Sequence, residues 1–185
     1  MKKKRQKRQK AIRRSQKAFL VIDMLNDFVR RGAPLFVPGA QSIVPNIKRR
    51  MDEARDQGIP IIYLCDAHKP KDPEFRVWPS HAVKGSKGAQ VVDGLTPQKG
   101  DIVIPKTTYS GFYGTRLEEI LKKMRVKQLI ITGVCTEICV LYTTADAYMR
   151  GYTVEVPEDC CAALTPDNHR FALVQMTRVL KPAQH

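Results

Sequence analysis

The 185-residue sequence has little with which to cross a membrane or to staple itself together. No apolar run approaches the roughly 20 residues that a membrane-spanning helix needs. Cysteines number five, an odd count with Cys160 beside Cys161, and no secretory signal precedes them. That pattern argues against a disulfide framework and for a reducing cytoplasm. Histidine is scarce, at four residues, and Trp78 is the only tryptophan.

Acidic residues are missing altogether from positions 2 to 17, where ten of the sixteen residues are Lys or Arg. Of the formal net charge of +14, only about four units therefore belong to the rest of the chain. Residues 1–17 are expected to form a disordered basic arm without the apolar centre of a signal peptide. Its chemistry suits non-specific, salt-sensitive attraction to nucleic acid or anionic lipid, or a solvated extension with no partner. The first aromatic is Phe19, so the arm has no ring on which to stack bases.

What remains, residues 18–185, has the length for one substantial core and not two. Apolar runs near 18–23, 59–65, 101–105, 128–133 and 152–156 alternate with amphipathic segments near 41–57, 113–124, 137–150 and 167–178. This alternation predicts an α/β domain, a three-layer α/β/α arrangement around a five- or six-stranded parallel sheet. Gly58 and Gly151 stand where helix C-caps are favoured, and Thr165-Pro166 reads as N-cap followed by first helical residue.

Three polar groups are predicted at the carboxyl edge of that sheet, where open α/β proteins place ligands. Asp23 ends the run Ala18–Ile22, Lys106 ends Asp101–Pro105, and Cys139 lies where the run Gln128–Thr132 gives way to a helix start. A helix N-terminus favours thiolate over thiol and offers N–H groups to an oxyanion. Base, electrostatic stabiliser and nucleophile together suit acyl transfer. The plainer alternatives are a core cysteine and an ordinary Asp–Lys ion pair.

A second constellation, Asp66, His68, Glu74 and His81, follows the run Ile59–Leu64. Carboxylate oxygens and imidazole nitrogens in one loop suit a divalent Zn, Mn or Fe ion, against the reading of two surface histidines. Phe28, Trp78 and Tyr109 adjoin these motifs and are expected to bind a planar amide substrate, core packing being the alternative.

Asp23-Met-Leu-Asn-Asp27-Phe28, Lys106-Thr-Thr-Tyr109-Ser-Gly-Phe112 and Gly133–Val140, in that order, resemble the three motifs of the isochorismatase-like cysteine hydrolases, above all their nicotinamidase branch. The resemblance covers roughly residues 18 to 178. It implies catalytic Asp23, Lys106 and Cys139, a cis peptide before Cys135, and an oxyanion hole made by the N–H groups of Cys135 and Cys139. It also implies a metal on Asp66, His68 and His81 that takes the pyridine nitrogen of the substrate. Glu74, with Asp72 as rival, stands where many members carry the third ligand histidine. Leu25, Glu137 and Cys135 depart from the usual glutamine, aspartate and alanine, and a Cys135–Cys139 disulfide would disable the nucleophile.

The implied activity is hydrolysis of nicotinamide to nicotinate and ammonia through a thioester. Alternatives are an amidase for a maleamate-like or ureido compound, and a non-catalytic binding protein acting through its basic arm. A metal-free isochorismatase would have no use for Asp66, His68 and His81. The resemblance also implies a sixth strand after the last helix, short or absent here, and a homo-oligomer.

Overall fold

A computed structural model describes residues 16–180, so most of the basic arm lies outside the described residues. Five strands form in the predicted places: β1 (Lys17–Ile22), β2 (Ile61–Asp66), β3 (Ile102–Lys106), β4 (Gln128–Val134) and β5 (Thr153–Glu155). They pair in parallel in the order β3-β2-β1-β4-β5. The central strands read as unbroken apolar runs because both faces are covered. β1 and β2 are buried along nearly their whole length. Pro105, which has no N–H to give, is accommodated because β3 is an edge strand.

Three crossovers carry α-helices, α1 (Ala40–Asp56), α2 (Leu117–Met124) and α3 (Leu141–Met149); the β2–β3 link holds only the short turn Pro73–Arg76, and α4 (Pro166–Val174) follows the last strand. Two cores result, one per sheet face. Phe19, Val21, Ile61 and Tyr63 pack beneath Ile43, Ile47 and Met51 of α1. Leu20, Ile22, Ile62 and Leu64 face Leu117, Leu121 and Ala147 of the opposite layer. The Thr165 hydroxyl accepts from Asn168 N at 3.1 Å, and Pro166 opens α4 as expected.

Two expectations need correction. The sixth strand does not follow the last helix among the described residues. It is β6 (Cys161–Ala162), which precedes α4 and pairs with Gly133 and Val134 of β4. The chain after α4 instead continues as a π-helical stretch, Gln175–Val179. The helix expected from 113 begins only at Leu117, because Gly114 takes φ +65° and the Thr115 hydroxyl accepts from Leu117 N at 3.1 Å. Among the described residues, no helix is long and apolar enough to cross a membrane.

Candidate active site

The parallel register delivers the polar groups to one edge. Asp66 and Lys106 are cross-strand partners at the ends of β2 and β3, while Ile22 faces Leu64 on one side and Gly133 on the other. Asp23 follows Ile22 with φ +50°, a left-handed conformation that aspartate tolerates better than most residues. Gly133, at φ +115°, lets β4 approach β1 so closely that a Cβ there would stand 2.0 Å from the Ile22 carbonyl oxygen. β4 then passes through the cis Val134–Cys135 peptide into a π-helical turn, Thr136–Val140, that carries Cys139.

Asp23, Lys106 and Cys139 converge. Lys106 Nζ lies 2.7 Å from Asp23 Oδ2, 2.6 Å from Asp66 Oδ1 and 3.5 Å from Cys139 Sγ. It also donates to the Thr108 carbonyl at 3.2 Å. Asp66 N donates to Asp23 Oδ1 at 2.8 Å, which fixes the carboxylate plane. One carboxylate oxygen each of Asp23 and Asp66 and the Cys139 sulfur lie within 4.8 Å of one another. Cys135 and Cys139 are both buried free thiols, and the feared disulfide is not formed.

Burial, with the Asp66 charge next in weight, pushes the Asp23 carboxyl up to about 6 even though Lys106 pulls it down. Burial lowers the Lys106 ammonium's affinity for its proton, but Asp23 and Asp66 reverse that, and the group is held well above its ordinary range. The Cys139 thiol is also pushed well above its ordinary range by burial, which outweighs Lys106. Burial thus opposes the thiolate that a helix terminus would favour. The resting pair at neutral pH is a carboxylate and a thiol.

The metal-type residues cluster alongside. Donor atoms of Asp66, His68 and His81 lie within 4.8 Å of one another. Asp66 Oδ2 stands 3.6 Å from His68 Nε2 and 3.7 Å from His81 Nε2. His81 Nδ1 sits 2.7 Å from the Pro79 carbonyl, a contact that requires the proton on Nδ1 and turns the Nε2 lone pair toward Asp66. His68 is fully buried, yet neither ring nitrogen makes an aligned hydrogen bond. Such buried, unsatisfied imidazole donors fit a metal ion.

The two rival carboxylates both come within 4.8 Å of a His68 nitrogen and of each other, but they differ in their nearest imidazole contacts. Glu74 Oε1 is 4.0 Å from His81 Nε2, on the cavity side, whereas Asp72 Oδ2 approaches the far nitrogen of His68, Nδ1, at 3.3 Å. Glu74 thus lines the cavity beside His81, and Asp72 lies behind His68. Burial depresses His68 and His81, but Asp66 overcomes it and both are raised; Asp72 adds to the effect on His68.

A cavity enclosing about 360 Å³, its mouth included, joins the two clusters. Phe28, Trp78 and Tyr109 line it together with Asp66, Glu74, His81, Cys135 and Cys139. Trp78 Nε1 donates to the Tyr109 hydroxyl at 3.1 Å, and Tyr109 stacks on Tyr142 with centroids 5.7 Å apart.

Several contributors escaped the sequence. Leu35, Ile138 and Leu164 add apolar wall, and Phe75 packs edge-on against both His68 and His81 at 5.5 and 5.6 Å. Glu137 Oε1 accepts from Leu164 N at 3.0 Å, tying the nucleophile turn to the cavity wall. Asp27 Oδ2 accepts from Ala82 N at 2.8 Å and fixes the backbone beside His81. Asp27 and Glu137 lie inside the quoted motifs, but nothing in the sequence assigned them these hydrogen bonds.

Comparison with known proteins accords with this geometry. The Isochorismatase domain family model matches residues 17–184. A probable inactive nicotinamidase of Arabidopsis thaliana is 36% identical over 173 residues, covering 88% of each chain. The crystal structure of N-carbamoylsarcosine amidase from Thermoplasma acidophilum superposes with a TM-score of 0.82 at 37% identity, over 90% of this chain and 93% of that one. The pyrazinamidase of Pyrococcus horikoshii in complex with zinc gives 0.83 at 33% identity, over 88% and 95%.

Proposed function

Since this chain belongs to the isochorismatase family of hydrolases, we propose that it hydrolyses a small, neutral, planar carboxamide through a Cys139 thioester, with nicotinamide as the leading substrate. The observation that carries this reading is the single cavity lined by both the nucleophile and the metal-type residues. The probable inactivity of the Arabidopsis relative is not carried over, since Asp23, Lys106 and Cys139 are all present and in contact here.

Cys139 Sγ attacks the amide carbonyl while its proton passes to Asp23, so no free thiolate has to persist in the buried site. A carboxylate held up to about 6 is a stronger base than an exposed one and is still ionised at neutral pH. Lys106, between Asp23 and the sulfur, balances the negative charge during transfer. The oxyanion is assigned to the N–H groups of Cys135 and Cys139, which adjoin the cavity. Asp23 then returns the proton to the leaving nitrogen and ammonia departs. It next takes a proton from the water that attacks the thioester, releasing the acid and restoring the thiol.

Asp66, His68 and His81, with Glu74, would hold the divalent ion. When bound, it supplies a Lewis-acid contact for a ring nitrogen of the substrate. Phe28, Trp78 and Tyr109 hold the ring. N-carbamoylsarcosine carries a carboxylate, and among the described residues that line the cavity none is Lys or Arg, while Asp66 and Glu74 are acidic. A carboxylate-bearing amide is therefore a poor match.

The test is ammonia release from nicotinamide, N-carbamoylsarcosine and maleamate by the zinc- or manganese-loaded protein and by Cys139→Ala. Release from nicotinamide alone, lost in Cys139→Ala, is expected. Preference for either acid-bearing amide, or normal turnover by Cys139→Ala, would overturn the reading.

A further inference from the structure

The π-helical turn that carries Cys139 divides its side chains between two neighbours. Cys135, Ile138 and Cys139 line the cavity, whereas Thr136 and Glu137 do not. Those two hold the start of α4 instead. The Thr136 hydroxyl lies 2.9 Å from His169 Nδ1, a bond that either imidazole tautomer satisfies. Glu137 Oε1 accepts from Asn168 Nδ2 at 3.2 Å as well as from Leu164 N. Thr136 is fully buried. A threonine hydroxyl in a helical turn ordinarily bonds to nearby backbone, but this one is spent on a partner 33 residues away.

We infer that His169 is a positioning residue for acyl transfer: through the Thr136 hydroxyl it fixes the turn on which the N–H groups of Cys135 and Cys139 receive the oxyanion. The inference rests on the thioester reading above. Thr136 follows Cys135 directly and precedes Cys139 by three residues, so its backbone belongs to the segment that sets the spacing of the two donors. Cys135 stands at the N-cap position of the turn and makes no side-chain capping bond. The hold from α4 takes the place of a cap.

The clamp is itself registered. His169 N donates to the Thr165 carbonyl at 3.0 Å, and the Thr165 hydroxyl caps the same helix end. His169 is absent from the cavity wall and lines a separate open groove with Ser42, Thr165 and Pro166 among others. The route from His169 to the reaction therefore runs through Thr136. Phe28, Trp78 and Tyr109, which hold the ring, are not part of it, so the effect of His169 falls on kcat rather than on KM.

The test compares two reactions of Cys139 in the full chain. Acylation by p-nitrophenyl acetate, followed as p-nitrophenolate release with Cys139→Ala as the blank, passes through an oxyanion. Alkylation by iodoacetamide, located by mass spectrometry, does not. His169→Ala and Thr136→Val should each slow acylation by about 10- to 100-fold, short of the loss from deleting an oxyanion donor outright, and leave alkylation unchanged. The double variant should be no slower than the slower single variant, since both break one bond. His169→Asn, whose side-chain amide reaches the place of Nδ1, should restore most of the rate. With nicotinamide, kcat should fall in the same order and KM should hold. Equal slowing of acylation and alkylation, additive losses in the double variant, or no recovery in His169→Asn would overturn the inference. A wild-type chain without Cys139-dependent p-nitrophenolate release would overturn the thioester reading itself, and acylation without nicotinamide turnover would remove only that substrate.

Discussion

Replacing Gly133 by alanine tests the joint on which the site depends. The new Cβ would stand 2.0 Å from Ile22 O and 2.8 Å from Ile22 C and N, against backbone that is itself hydrogen-bonded in the sheet. Overpacking of this kind costs about 1–3 kcal/mol, and an L residue in a left-handed conformation about 1–2 kcal/mol more. The sum of about 2–5 kcal/mol corresponds to a Tm lower by about 4–20 °C in a chain of this size. Gly151→Ala is the control. Its φ is +82° but nothing lies within 4 Å, so the conformational cost stands alone, about 2–8 °C. Gly133 is also two residues before Cys135 and opposite the residue before Asp23. A displacement of about 1 Å there is expected to lower kcat by about 100-fold, whereas Gly151→Ala should keep its activity. Thermal melts and turnover of the two variants decide the matter. If Gly133→Ala melts no lower than Gly151→Ala, the strand contact is not the constraint described.

The base assignment predicts an acid limb in kcat/KM. A carboxyl with a folded pKa of about 6 is protonated below it, so activity rises with pH through about 6, and a flat profile from pH 5 to 8 would contradict Asp23 as base. Asp72→Asn removes the partner behind His68 and should weaken metal binding by about 10- to 100-fold in chelator competition, with Cys139 alkylation unchanged. Trp78→Phe deletes one hydrogen bond to Tyr109, about 0.5–1.5 kcal/mol, so KM should rise roughly 2- to 10-fold while kcat is retained.

Much of the fold was legible because strands buried on both faces leave continuous apolar runs, and all five such runs became strands within two residues of their expected ends. β6 was not, since two residues paired with Gly133 and Val134 leave no periodic trace. The π-helical turn at Cys139 depends on how β4 meets β1, which no local pattern encodes. The site residues were legible as motifs, but their division of labour was not. That Glu74 faces the cavity while Asp72 backs His68 depends on the short helical turn Pro73–Arg76 that separates them. Asp66 read only as a metal-type residue, because its bond to Lys106 exists only through the β2–β3 register.

That shared carboxylate makes the two halves of the site one charge account. Asp23, Asp66 and Glu74 against Lys106 leave a surplus of two negative charges around the cavity, the charge that one divalent ion would cancel. Asp66 raises the proton affinity of His68 and His81 against the cost of burial, so protons are the ion's competitors at this position. A bound divalent ion would compete with protons for these imidazoles, so its hold would weaken as the solution becomes more acidic. By reciprocity, an ion that drew on Asp66 would leave Lys106 leaning more on Asp23 and Cys139, so occupancy of the metal position would be felt at the nucleophile without any movement of the chain.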